Sequence, residues 1–94
     1  MQNFRLKYKP FPPELHGQLA GITGGKPDGN LTVIIDSTLS EEEQKKTLKH
    51  ELAHIALGHF QNTGRDMMRL EEEADAKADR MTDTELEALM QWAI

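Results

Sequence analysis

The sequence predicts an α+β fold in which a small sheet comes first and helices follow. Three observations lead to this prediction. Residues 31–36 (LTVIID) are rich in β-branched side chains, as strands are. After residue 41 the apolar side chains recur every three or four positions, which is the period of a helix with one buried face. Ser40 and Thr82 each stand three residues before a glutamate, and this capping-box pattern marks the start of a helix.

The N-terminal third is expected to supply about three strands of an antiparallel sheet. Residues 4–8 alternate apolar and charged side chains and are followed by prolines, which predicts a short edge strand. Residues 15–23 contain two glycines among apolar residues and predict a bent or bulged strand. Residues 24–30 carry the densest turn signal and predict a hairpin loop that leads into the strand at 31–36.

Three helices are expected after the sheet. The first starts at Glu41 and ends at Gly58 or at residues 62–64. A third, short helix follows Thr82. We expect the sheet to pack on the first helix and residues 1–94 to form a single domain. The second helix covers residues 65–80, and its expected buried side chains are Met67, Met68, Leu70, Ala74, Ala78 and Met81.

Composition limits the classes of function. The 94 residues include no cysteine, so a metal would have to be bound by His, Asp or Glu. The formal net charge of −5, with acidic runs at 41–43 and 71–73, argues against direct nucleic-acid binding. The N-terminus lacks the apolar run of a signal peptide, and no segment has the length of a membrane span. A cytoplasmic protein without a membrane partner is therefore expected.

Residues 50–54 (HELAH) form an H-E-x-x-H pattern within the first predicted helix. His50 and His54 are four residues apart and therefore lie on one helix face, where both can bind a single metal ion. Glu51 projects beside that face and could take a proton from a water molecule activated by the metal. The helix has its own start signal at Ser40, which is the context that the pattern requires. The chemistry expected is metal-assisted hydrolysis.

A hydrolytic zinc site usually has three protein ligands, so a third ligand is expected. The acidic run at 71–73 lies on the second helix, and only one of three consecutive helical residues can face the histidines. Glu71 is preferred over Glu72 because Asp75, four residues later, could accept the other N–H of a ligating histidine and fix its tautomer. Glu73 is the second candidate, although Lys77 at its i+4 position favours a surface ion pair instead.

The remaining histidines receive other assignments. His59 and Gly58 are each one position away from the places that the H-E-x-x-H-x-x-G-x-x-H signature requires. His59 is therefore expected near the exposed carbonyls at the C-terminus of the helix. His16 is expected to be a surface residue. No oxyanion-stabilising residue is assigned, and Tyr8, His16 and His59 remain candidates.

The motifs together resemble the ImmA/IrrE-like zinc metallopeptidase family. Its signature is similar to H-E-L-x-H followed by E-x-x-A-[ND]-x-F-A, which residues 50–54 and 71–78 match except that Lys77 stands where the family usually has Phe. The likeness extends over roughly residues 15 to 81. It implies a minimal zincin-like core of the gluzincin type. By this resemblance His50, His54 and Glu71 bind Zn²⁺, Glu51 is the general base, and Asp75 is a carboxylate behind a ligating histidine.

The function implied by the resemblance is that of a zinc-dependent endopeptidase. Members are associated with cleavage of repressor-type regulators in bacteria, phages and mobile elements, so a helix-turn-helix repressor is the expected protein substrate. We expect residues 31–36 to hold an extended peptide by edge pairing. Members commonly continue well beyond this length, which favours the alternative of a zinc-stabilised protein-interaction module without significant turnover. A third hypothesis, in which no metal binds, requires the ligand pattern to be coincidental.

Overall fold

The computed structural model describes residues 2–25, 30–60 and 66–94. Within these ranges it contains three strands and three α-helices, and the predicted α+β class is confirmed. No helix in the described ranges is long and apolar enough to cross a membrane. The elements in chain order are β1 (Phe4–Lys9), a 3-10 helix (Pro13–Leu15), β2 (Gly21–Gly25), β3 (Leu31–Asp36), α1 (Glu41–Ala56), α2 (Met67–Arg80) and α3 (Asp83–Met90).

The sheet has the order β1-β3-β2 and is mixed. β2 pairs antiparallel with β3, whereas β1 pairs parallel with β3 from Phe4 opposite Leu31. The prediction of an antiparallel sheet is therefore wrong for β1. Residues 10–20 carry the chain past the end of β3, so that β3 later inserts between β1 and β2 and runs in the direction of β1. The expectation that residues 31–36 bind a peptide by edge pairing is also wrong, because β3 is the central strand.

The buried carboxylate of Asp36 links the end of β3 to the connection at residues 10–20. Its Oδ1 accepts hydrogen bonds from the Phe11 N–H (3.2 Å), the Thr38 N–H (3.0 Å) and the Thr38 hydroxyl (2.7 Å). Burial raises the pKa of Asp36, but the hydrogen bonds from Thr38 and Phe11 outweigh burial and hold the pKa below its ordinary value. One ionised side chain thus joins the chain before β2 to the chain before α1.

The strand predicted at residues 15–23 begins later than expected. The chain first forms the 3-10 helix at Pro13–Leu15 and a turn in which Gly17 has φ +82°, and β2 starts at Gly21. Prolines favour such a turn because their φ is already near the helical value. The pairing of β2 with β3 is that of the predicted hairpin, although residues 26–29 of its loop lie outside the described residues.

β2 approaches α1 closely at Gly21. A Cβ atom at this position would lie 2.8 Å from the γ-methyl group of Thr47 and 3.2 Å from the terminal methyl group of Ile35. Glycine therefore permits the spacing between β2 and α1, and this spacing places β2 alongside residues 50–54. The main core lies between the sheet and the helices and includes Phe4, Leu31, Val33, Ile35, Leu48, Leu52, Ala53, Ile55, Ala74, Met81 and Leu86.

Both predicted boundaries of α1 have identifiable causes. The Ser40 hydroxyl accepts a hydrogen bond from the Glu43 N–H at 3.2 Å, which confirms the predicted N-cap. At the other end Gly58 has φ +70°, and the Gly58 N–H donates to the Ile55 carbonyl at 3.0 Å. The His59 N–H donates to the His54 carbonyl at 3.1 Å, which completes a Schellman motif. This turn folds residue 59 back against the last turn of the helix.

α2 begins later than predicted, at Met67, with the Asp66 side chain as its N-cap. Its buried face passes through Leu70 and Ala74 as expected, but Met67 and Met68 are 69% and 73% exposed, so the prediction is wrong for these two methionines. Periodicity identifies which face of a helix is apolar, but it does not show how far along the helix the packing partner extends. The cap predicted at Thr82 is confirmed, since its hydroxyl accepts from the Glu85 N–H at 3.1 Å.

Candidate metal centre

Three side chains from two helices converge beside β2. Nε2 of His50 and Nε2 of His54 are 3.1 Å apart on α1. The Glu71 carboxylate on α2 closes the group, with Oε2 at 3.1 Å from His50 Nε2 and Oε1 at 3.0 Å from His54 Nε2. All the possible ligand atoms lie within 4.8 Å of one another, so this group could hold a metal ion.

The donor set fits a tetrahedral metal ion such as zinc. Zinc binds imidazole nitrogen and carboxylate oxygen at about 2.0–2.2 Å, which separates the ligand atoms of a tetrahedron by about 3.4 Å. The separations of 3.0–3.1 Å within this group are close to that value. Two histidines and one glutamate are also a known ligand set of hydrolytic zinc sites, in which the fourth position remains open.

The second ring nitrogen of His50 contacts Asp75, the residue singled out for its spacing from Glu71. Nδ1 of His50 lies 2.8 Å from Oδ1 of Asp75. An ionised carboxylate only accepts hydrogen bonds, so this contact favours the proton on Nδ1 and leaves the lone pair of Nε2 directed at the cluster. Glu71 and Asp75 are four residues apart on one face of α2, and for this reason both reach the same histidine.

The second ring nitrogen of His54 contacts His59, which is only 6% exposed. The two Nδ1 atoms are 2.9 Å apart, and Nε2 of His59 lies 2.9 Å from Oε2 of Glu73. The expectation that the His59 side chain faces the exposed helix carbonyls is therefore wrong. The signal available in the sequence was the glycine at position 58, since a glycine just after a helix often adopts the left-handed conformation of a Schellman motif. That motif brings the following residue back over the helix end. Glu73, expected beside Lys77, reaches His59 instead.

Burial lowers the pKa of His54. The negative charge of Glu71 opposes this shift, while His50 lowers the pKa further. The effects of Glu51, which raises the pKa, and of His59, which lowers it, are smaller. A lowered pKa keeps the imidazole neutral near pH 7, and the neutral form is the one that binds metals.

Glu51 is held beside the cluster by Thr23, a residue that the sequence did not predict for the site. Glu51 is 8% exposed, and its Oε2 accepts a hydrogen bond of 2.6 Å from the Thr23 hydroxyl. Thr23 lies two positions after Gly21 on β2 and so shares the face of the strand that meets α1. The alternation of side chains between the two faces of a strand was the sequence signal for Thr23, but using it requires knowing where β2 begins.

Two cavities flank the cluster. One of about 370 Å³ has a mixed lining, in which Lys46, Asp75 and Asp79 are the charged residues beside those of the site. The other, of about 360 Å³, is lined mainly by apolar side chains, namely Leu19, Ile22, Phe60, Met67 and Leu70. Leu19, Gly21, Glu51 and Glu71 line both. The carboxylates of the site are thus approached from either side along β2.

Two of the three candidates for an oxyanion-stabilising residue, Tyr8 and His16, lie away from the cluster. Tyr8 is on β1, at the edge of the sheet opposite β2. Nε2 of His16 lies 3.1 Å from the Phe11 carbonyl oxygen and 3.9 Å from Oδ2 of Asp36, and His16 lines a different cavity. His59 is behind His54. Of the three candidates, His59 alone lines one of the two cavities beside the cluster.

An α+β domain with an H-E-x-x-H helix and a glutamate from the next helix has the architecture of a metallopeptidase-like domain. The model of the IrrE N-terminal-like domain family (peptidase M78) matches residues 2–91. The chain belongs to this family, and the resemblance drawn from residues 50–54 and 71–78 is confirmed. Comparisons with curated proteins and with solved structures give no match. The protein is thus a member of a metallopeptidase family with a His-His-Glu group suited to a metal.

Proposed function

We propose that this protein is a zinc-dependent endopeptidase. The observation that carries the proposal is the convergence of His50, His54 and Glu71 beside Glu51, at a place open to two cavities. Membership of the peptidase family supports it. In this proposal the two histidines and Glu71 are the metal ligands and Glu51 is the general base.

The residues around the metal have distinct roles in this mechanism. Zinc bound here would lower the pKa of an attacking water to about 7 and would polarise the peptide carbonyl. Glu51 accepts the proton of the water and returns it to the leaving amine nitrogen. The Thr23 hydroxyl, 2.6 Å from Oε2 of Glu51, orients the carboxylate so that Oε1 stays available for the proton transfer. Asp75 orients His50 through its 2.8 Å contact.

The substrate we propose is an extended segment of a protein. β2 is the edge strand next to the site, so its outer backbone groups can pair with a peptide that crosses the cluster between the two cavities. On the resemblance to the ImmA/IrrE-like family, the protein cleaved is a repressor-type regulator with a helix-turn-helix domain. The net charge of −5 makes a basic protein easier to approach than a nucleic acid.

The test compares cleavage by the wild type and by Glu51→Gln, with zinc added. Substrates are an unfolded protein and a helix-turn-helix repressor encoded beside the gene. General-base catalysis contributes about 10²- to 10⁴-fold, so we expect Glu51→Gln to lose at least that factor while it still binds zinc. Glu72→Gln, an exposed neighbour of the proposed ligand with the same change of charge, is the matched control and should cleave like the wild type. Retained cleavage by Glu51→Gln would refute the mechanism.

The alternative is a zinc-stabilised interaction module. It is supported by the origin of the ligands, since His50 and His54 lie on α1 and Glu71 on α2, so that a metal would tie the two helices together. Zinc that stabilises the protein and binds through these three residues, without cleavage of either substrate, would favour this alternative over the peptidase.

A further inference from the structure

A buried histidine, His59, and a half-buried glutamate, Glu73, lie behind the proposed metal ligand His54. His59 is 2% exposed in its side chain, and its two ring nitrogens contact His54 Nδ1 on one side and Glu73 Oε2 on the other, both at 2.9 Å. Neither His59 nor Glu73 has a place in the mechanism described above. We propose that they form a relay that holds His54 in the tautomer with its proton on Nδ1, so that Nε2 is free to bind the metal. This inference rests on the proposed metal site.

The direction of the relay follows from which atoms can donate. The Glu73 carboxylate only accepts hydrogen bonds, so Nε2 of His59 carries the proton in that contact. In a neutral His59 the Nδ1 atom is then the acceptor, and Nδ1 of His54 must be the donor. The lone pair of His54 is thereby left on Nε2, which lies 3.0 Å from Glu71 Oε1 and 3.1 Å from His50 Nε2. The reverse order would place a lone pair of His59 against the carboxylate.

The geometry of α2 explains why an imidazole is needed between Glu73 and His54. Glu71 and Asp75 share one face of the helix, but Glu73 is two residues from each and therefore about 200° around the axis. His59 spans the remaining distance, and the Schellman turn at Gly58 places it there. His50 is thus oriented directly by Asp75, whose side chain is 68% exposed, whereas His54 is oriented through a buried intermediate.

His59 is a positioning residue in this account and not a fourth ligand. Its Nδ1 atom meets Nδ1 of His54, on the opposite side of the imidazole ring from the Nε2 atom that faces the cluster. Partners of this kind typically affect metal affinity or activity 10- to 100-fold. The relay therefore predicts that replacing the Glu73 carboxylate weakens zinc binding, although this carboxylate contacts none of the three ligands.

The test has two readouts, neither of which is cleavage. The first is zinc affinity, measured by competition with a chromophoric chelator. We expect about 10- to 100-fold weaker binding for Glu73→Gln and for His59→Phe, which keeps a ring of similar size but removes both nitrogens. Glu72→Gln, the matched control on the same helix, should bind zinc as the wild type does. The second readout is the tautomer of His59 in the zinc-loaded protein, taken from ¹⁵N chemical shifts and two-bond couplings.

In the zinc-loaded wild type, with His54 Nε2 on the metal, we expect the proton of His59 on Nε2. Glu73→Gln should weaken this preference, because an amide can donate as well as accept. A His59 proton on Nδ1 in the wild type, or wild-type zinc affinity in both variants, would overturn the relay. Failure of the proposed function looks different: a wild type that binds no zinc contradicts the metal site itself, whereas a wild type that binds zinc no more tightly than both variants contradicts the relay alone.

Discussion

Thr23 links a strand to the proposed general base, and its role can be tested by replacing its hydroxyl group with a methyl group. Thr23→Val keeps the shape of the side chain but removes the hydroxyl that donates to Glu51 at 2.6 Å. A carboxylate that loses its anchor samples unproductive positions, so we expect cleavage to fall by about 10- to 100-fold. The measurement is the turnover number with zinc at saturation.

Thr23→Ser is the matched control for this prediction because it retains the hydroxyl. It should keep most of the activity, and both variants should bind zinc normally, since Glu51 is not a proposed ligand. Equal turnover in the valine and serine variants would show that the hydrogen bond does not orient Glu51.

At the level of elements, the spacing between β2 and α1 depends on Gly21. A Cβ atom here would lie 2.8 Å from the γ-methyl group of Thr47, so Gly21→Ala forces the strand and the helix apart. Overpacking of this kind costs about 1–3 kcal/mol, and we expect the free energy of unfolding to fall by that amount in urea titrations. The extended backbone of β2 tolerates alanine, so the lost stability comes from steric crowding and not from backbone strain.

Thr47→Ser tests the cause of this loss because it removes the methyl group that the new Cβ would meet. In that background Gly21→Ala should cost less, with an interaction energy outside the error of the double-mutant cycle. Strict additivity of the two substitutions would place the crowding at another neighbour, such as Ile35, whose methyl group is at 3.2 Å.

α3 is tied to α1 by an exposed group of charges. Asp83 Oδ1 lies 2.8 Å from Lys45 Nζ and 3.3 Å from Lys49 Nζ, and hydrogen bonds from these two lysines hold the pKa of Asp83 below its ordinary value of 3.8. A lowered pKa in the folded state means that the contribution to stability is complete above pH 3.8 and is lost as the pH falls through the lower, folded value.

We therefore expect Asp83→Asn to unfold at lower urea than the wild type at neutral pH, with the difference shrinking as the pH falls below 3.8. Salt should also reduce the difference, because the charges are exposed. Glu87→Gln, an exposed acid on the same helix, is the control and should show a smaller effect. A difference in urea midpoint between Asp83→Asn and the wild type that does not change with pH would contradict the ion-pair explanation.

For the whole molecule, zinc should act as a cross-link between α1 and α2. A ligand that binds only the folded state stabilises it by about 2.7 kcal/mol at a free concentration 100 times its Kd. In a domain of this size that corresponds to a rise in Tm of about 10–20 °C. We expect thermal unfolding followed by circular dichroism to show this rise with zinc, and a chelator should reverse it.

Glu71→Gln removes the ligand that comes from α2 and should lose most of the zinc-dependent rise. Glu72→Gln, one residue away, should keep it. An equal rise in both variants would mean that zinc binds elsewhere or that the two histidines hold it without α2.

Local signals were sufficient for most of the elements. The bounds of β3 follow from its β-branched run, and the starts of α1 and α3 follow from Ser40 and Thr82, because these signals act between residues close in the chain. The parallel partner of β1 could not be predicted, since the pairing of strands depends on where the later residues 31–36 insert. The exposure of Met67 and Met68 was missed for a similar reason, as burial depends on the extent of the packing partner.

The candidate site divides in the same way. The spacing of His50, Glu51 and His54, and that of Glu71 and Asp75, is set by the helix period and was readable in the chain. The packing of α2 on α1 decided that Glu71 meets both histidines within 3.1 Å. The contact of His59 with His54 is local and follows from the turn at Gly58. Only the tertiary structure decided that Thr23 reaches Glu51, because this contact joins residues 28 positions apart on different elements.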